Sequence, residues 1–227
     1  MQRVEGVTFL LVAALAVAGL VAGRGLRPVI ARYAVPAHGL GGQADGPGQR
    51  RWPPPLTVEI TTALLLAALA ARVHPGLALA AACWLALCAV PLAFVDAAVR
   101  RLPDALTGPA FAGTVLLLMA AAAAGGLWHP LTRAILGGIA LAGFCLVLMV
   151  ISPSGIGMGD IKAAAGLGTM LAWQSWTSLV AGGFAGFLLA ALYGIALLVS
   201  GRATRKQQIP FGPFMITGAF LVILAGL

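Results

Sequence analysis

Leu77 to Val95 reads LALAAACWLALCAVPLAFV, nineteen residues without a charge, and Asp96 follows at once. A membrane-spanning helix needs about 20 mostly apolar residues, because about 30 Å of hydrocarbon is crossed at about 1.5 Å per residue. The run therefore reads as a transmembrane helix that delivers a carboxylate to its end.

Outward from it, comparable apolar runs predict helices over 6–23, 57–72, 77–95, 105–125, 132–151, 161–173, 176–200 and 213–227. The expected fold class is all-α: a polytopic membrane helix bundle of about eight transmembrane helices. The sixth and eighth runs are short, and the sixth opens with charged residues, so a half-membrane or re-entrant segment is the alternative there. Composition agrees, since 61% of the 227 residues are hydrophobic and only 9% charged. With a mean hydropathy of +1.01, the chain lies far outside soluble globular usage.

The net charge of +8 reports topology rather than a nucleic-acid partner. Arg24, Arg27, Arg32, Arg50, Arg51, Arg100, Arg101, Lys162, Arg202, Arg205 and Lys206 fall in alternate loops or at their edges, against Arg3, Arg72 and Arg133 on the other side. The positive-inside rule assigns the first set to the cytoplasm, which leaves both chain ends outside. Residues 7–23 resemble a signal peptide in length, but only Arg3 precedes them while Arg24, Arg27 and Arg32 follow; an uncleaved first helix is expected. Residues 24–56, rich in glycine and ending in Pro53, Pro54 and Pro55, read as a cytoplasmic loop.

Cys83, Cys88 and Cys145 lie inside apolar runs with no CxxC pair, His38, His74 and His129 are isolated, and no HExxH occurs, so neither a disulfide framework nor a metal site is expected. The acidic set is small: Glu5, Asp45, Glu59, Asp96, Asp104 and Asp160. A carboxylate beside hydrocarbon is costly and marks a site or pathway. Asp96 ends the third run and Asp160 begins the sixth, which puts both at the cytoplasmic boundary. Two carboxylates that meet cannot easily both ionise, so one keeps a proton while the other activates a water, as in aspartic proteases. Taken singly, Asp96 is a helix-end charge and Asp160 a residue favoured by the helix dipole. Gly155, Gly157 and Gly159 shift that balance, because they leave the backbone before Asp160 unobstructed and free to take positive φ.

Around this pair, Lys162 either compensates Asp160 or anchors the inner face. Asp104, after Pro103, reads as the N-cap of the fourth helix. Arg100 and Arg101 are topogenic, with contact to substrate the secondary role. Glu59 reads as an interfacial residue favoured by its helix dipole, and Pro210, Gly212 and Pro213 as a turn.

Three segments together resemble the prepilin peptidase family, the bacterial GxGD aspartic peptidases of type IV pilus and type II secretion systems. Asp96 with Leu102-Pro103-Asp104 is similar to the family's Asp-x5-Ile/Leu-Pro-Asp segment, Gly157-Met158-Gly159-Asp160-Ile161-Lys162 to its GxGD-x-K segment, and Ile209-Pro210-Phe211-Gly212-Pro213 to its closing motif. The resemblance covers roughly 85–227 and implies that Asp96 and Asp160 are the catalytic pair, with Gly157, Gly159, Lys162, Asp104 and Arg100 in support. It implies a prepilin or pseudopilin substrate, cut after a glycine between a short basic leader and an apolar helix, at the cytoplasmic face of the inner membrane. Pro55-Leu56-Thr57-Val58-Glu59 resembles the opening of the second helix of full-length members, so residues 1–84 are expected to be an amino-terminal membrane region with a degenerate methyltransferase-like part. Many full-length relatives carry two cysteine pairs in that loop, suited to zinc, and this loop has none. Zinc is not expected, and S-adenosylmethionine is expected only if methylation is retained. The competing readings are another GxGD protease, of the archaeal preflagellin or presenilin-like type, and a non-catalytic transporter or assembly component using its carboxylates for ion passage.

Overall fold

The computed structural model describes residues 2–34, 53–54, 56–152, 157–201 and 210–226. These form eight helices: α1 (Gln2–Tyr33), α2 (Thr57–Arg72), α3 (Leu77–Val99), α4 (Asp104–Gly125), α5 (Trp128–Ile151), α6 (Met158–Gln174), α7 (Trp176–Val199) and α8 (Gly212–Ala225). Five of them, α1, α3, α4, α5 and α7, are long and apolar enough to cross a membrane. Large apolar side chains such as Phe9, Leu136, Val150, Phe184 and Val199 are exposed on the outside of the bundle, as lipid solvation permits.

Helix α6 is the centre. Asp160, Ala163, Ala164, Leu167, Gly168, Met170, Leu171 and Ala172 are all buried, and α3, α4, α5, α7 and α8 pack around it. Its 17 residues extend only about 25 Å at the α-helical rise, less than a hydrocarbon core. Because protein surrounds it, its ends can lie at membrane depth if their backbone groups are satisfied. Arg133 of α5 does this at the carboxyl end: its guanidinium donates to the carbonyls of Ala172, Trp173 and Gln174 at 2.6, 2.7 and 2.7 Å. The residue expected to be only a topogenic charge thus caps the central helix, where a cation is favoured by the dipole.

Small residues set the helix spacing. A side chain at Gly168 would lie 2.9 Å from both the Gly137 carbonyl and Leu141 Cβ, and one at Gly138 would meet Thr169 Oγ1, so α5 and α6 touch backbone to backbone. Gly19 and Gly23, four residues apart on one face of α1, do the same for α2, where their Cβ positions fall 2.6 Å from Ala63 Cα and 2.5 Å from Glu59 Cα. That spacing is the small-xxx-small pattern of packed membrane helices.

Two expected boundaries move. Residues 24–33, read as the beginning of the loop, are the last three or so turns of α1; the remainder of that loop, 35–52 and 55, lies outside the described residues, as do His38, Asp45, Arg50 and Arg51. Helix formation continues past the apolar run because arginine is itself a good helix former. Arg27 also finds a partner: its guanidinium donates to both carboxylate oxygens of buried Glu59 and to the Pro54 carbonyl at 3.0 Å. Glu59, in the first turn of α2 as expected, is 4% exposed and ion-paired with Arg27, a partner that its position in the sequence did not reveal. Likewise α3 runs on to Val99, which puts Asp96 one turn inside the helix, not at its end.

Two outcomes are expected in detergent. Gly168→Ala should destabilise the protein by about 1–3 kcal/mol through overpacking, whereas Gly143→Ala, on the same pair of helices but in open space, should leave thermal unfolding unchanged or slightly raised. Arg100 closes α3 in the left-handed conformation at φ 54°, which is unfavourable for a residue with a side chain. Arg100→Gly should therefore raise Tm by about 2–4 °C.

Candidate active site

The carboxyl end of α3 and the amino ends of α4, α6 and α8 meet at one end of the bundle. Three contacts hold them there. The Gly212 N–H, at the start of α8, donates to Asp96 Oδ2 at 3.0 Å across 116 residues of sequence. Leu102, between α3 and α4, presses on Gly159 of α6, where a Cβ would lie 2.7 Å from Leu102 Cβ and 2.9 Å from its carbonyl oxygen. The same Leu102 reaches α8, with Cδ1 3.3 Å from the Cβ position of Gly212. Leu102 thus bridges α6, which bears Asp160, and α8, whose Gly212 amide holds Asp96.

Asp96 is 3% and Asp160 7% exposed, and both lie where these helix ends meet. The Asp160 carboxylate accepts the Gly157 N–H at 2.8 Å through Oδ2. Its other oxygen, Oδ1, is buried with no hydrogen-bond partner among the described residues. A buried carboxylate oxygen without a donor is unfavourable and normally calls for a water or a ligand. Geometrically the site offers two buried acids, each held through one oxygen by a backbone amide.

The supporting residues are arranged differently from expectation. Gly157 is extended at φ −91°, ψ 161°, and neither it nor Gly159 has positive φ. Gly159 is there for the close approach of Leu102; Gly157 contributes its amide, which any residue but proline would supply; Gly155 lies outside the described residues. Lys162 does not compensate Asp160. Its ammonium pairs with Asp104 Oδ1 at 2.7 Å, with the side chains 45% and 72% exposed. Asp104 is the first residue of α4; the N-cap position belongs to Pro103, and no side chain caps it. The capping role expected for Asp104 is therefore corrected: its carboxylate turns outward to the cation of the neighbouring helix. Arg100 supplies the left-handed C-cap of α3, its N–H donating to the Asp96 carbonyl at 2.8 Å.

Gly212 is the participant that sequence reasoning missed. It reads in the sequence as part of a turn and of the segment resembling the family's closing motif, with no role of its own, yet a Cβ there would fall 2.8 Å from Asp96 Oδ2. A glycine that opens an apolar helix between two prolines was the available signal, since it marks a place where another group approaches the backbone. Among the described residues no group of three or more His, Cys, Asp or Glu could hold a metal ion.

Comparison with known proteins bears on the same residues. The family model described as the type IV leader peptidase family matches residues 79–199, a stretch that contains Asp96 and Asp160 and stops short of Gly212. The prepilin leader peptidase/N-methyltransferase of Aeromonas salmonicida is 32% identical over 176 residues, 74% of this chain and 57% of that relative. The protein of the same description from Burkholderia pseudomallei is 33% identical over 186 residues, 76% of this chain and 54% of the relative. Leader peptidase HopD of Salmonella typhimurium is 32% identical over 135 residues, 57% of this chain and 83% of HopD. The chain spans a little over half the length of the peptidase/N-methyltransferase relatives. No solved structure matches it significantly. With more than half of its residues matched by the family model, and most of HopD's length covered at 32% identity, the chain belongs to the type IV leader peptidase family.

Proposed function

We propose that the chain is an aspartic endopeptidase that removes the leader of prepilins or pseudopilins at the cytoplasmic face of the bacterial inner membrane, with Asp96 and Asp160 as its catalytic residues. The observation that carries this reading is the presence of two buried carboxylates at the same end of the bundle, one of which has an oxygen free of any partner among the described residues. Family membership supports the same reading, as do the names of the relatives. The catalytic part is taken as residues 85–227 and the amino-terminal membrane region as 1–84.

In the proposed reaction the pair shares one proton. A water between the carboxylates gives a proton to the ionised one as its oxygen attacks the scissile carbonyl carbon. The protonated carboxyl gives its proton to the carbonyl oxygen, forming a neutral tetrahedral diol. A proton then passes to the amide nitrogen, the C–N bond breaks, and the products are a carboxylic acid and an amine. Water is the only co-reactant, so hydrolysis needs neither zinc nor S-adenosylmethionine; the latter belongs to the methyl transfer named for the longer relatives. The apolar segment of the substrate is held in lipid, and its leader lies at the interface where Asp96 and Asp160 sit.

The test is cleavage of a synthetic peptide with a short basic leader, a glycine and an apolar helix, added to the full chain in liposomes. Asp96→Asn and Asp160→Asn should each lower kcat at least about a thousandfold, as expected when a group acting in the chemical step is removed. Normal cleavage by either variant would end the proposal. Asp104→Asn should stay within about fivefold of the unsubstituted protein, because an exposed ion pair contributes little.

A further inference from the structure

We infer that the backbone amide of Gly212 is the positioning donor for Asp96, and that residue 212 must be glycine for the Asp96 carboxylate to keep its place beside Asp160. The inference rests on the peptidase reading above and adds to it a residue outside the two aspartate segments. The first turn of a helix leaves its N–H groups without intrahelical partners. In α8 these are nearly all accounted for: Pro213 has no N–H, and those of Phe214 and Met215 both donate to the Phe211 carbonyl at 3.1 Å. The Gly212 N–H remains, and it donates to Asp96 Oδ2 at 3.0 Å.

Two features make this more than a helix-end contact. Asp96 is buried, so its carboxylate has no bulk water to replace a lost donor. The contact is also steric. A Cβ at 212 would sit 2.8 Å from Oδ2, 3.2 Å from Cγ of Asp96 and 3.3 Å from Leu102 Cδ1. The Leu102 methyl, at the end of a flexible side chain, can turn aside, but the closest contact falls on the carboxylate that the Gly212 amide itself holds. A methyl group at 212 therefore displaces the Asp96 carboxylate itself. Backbone conformation is not the reason for glycine here, since its φ is not positive.

A misplacement of this size acts on chemistry rather than on binding, and shifts of about 1 Å in a reacting group cost on the order of a hundredfold in rate. With the leader peptide as probe and the full chain in liposomes, Gly212→Ala should lower kcat about 10- to 100-fold while KM stays within about twofold. Gly108→Ala, in open space on α4, serves as the control and should match the unsubstituted protein. An unchanged kcat in folded Gly212→Ala overturns the inference, as does a rise in KM with kcat intact. Hydrogen exchange at the Gly212 amide gives a second decision that does not require that variant to fold. Protection there should fall about tenfold in Asp96→Ala and persist in Asp104→Asn; equal protection in the two would falsify the donor role. Failure of the peptidase reading would look different, with Asp96→Asn and Asp160→Asn both still cleaving the peptide.

Discussion

A carboxylate buried among apolar helices is unfavourable unless donors replace the water it has lost, and the arrangement at one end of this bundle follows from that requirement. Among the described residues no side-chain cation forms an ion pair with Asp96 or Asp160. Lys162 turns to Asp104 and Arg27 to Glu59, while Asp96 and Asp160 are each held by a glycine amide. A backbone donor is short, fixed in direction and uncharged. It restrains one oxygen of each acid without neutralising the pair, which suits two groups that must pass protons to a substrate.

Close approach to a backbone is possible only where side chains are missing, and glycine has therefore two tasks in this protein. At Gly168, Gly138, Gly19 and Gly23 it lets helix backbones touch, the main source of attraction when lipid is as apolar as leucine. At Gly159 and Gly212 the same closeness brings Leu102 and Asp96 against the amino ends of α6 and α8. Packing and site are thus one device used at different depths. The short α6 depends on it most: small residues let five helices surround it, Arg133 satisfies its carboxyl end, and its amino end carries Asp160.

Membership of the type IV leader peptidase family and this geometry meet on the same two segments, since the matched region 79–199 contains Asp96 through Asp160. The segment 210–213 lies beyond that region, yet its Gly212 is what Asp96 leans on. Residues remote in sequence from the matched core thereby become part of its working geometry.

The number and rough limits of the helices were legible in the sequence, because hydrocarbon thickness imposes a length on every apolar run. Asp96 and Asp160 stood out for a similar reason: carboxylates next to such runs are rare and need explaining. Which group pairs with which was not legible. Arg27, Lys162, Arg133 and Asp104 all looked like charges placed by topology or capping rules, because local sequence reveals a charge but not the partner that another helix brings. Nor could the sequence show that α1 continues to Tyr33, or that Gly212 is a donor instead of a turn. Those outcomes depend on distances between helices, and such distances exist only once small residues from separate segments have come into contact.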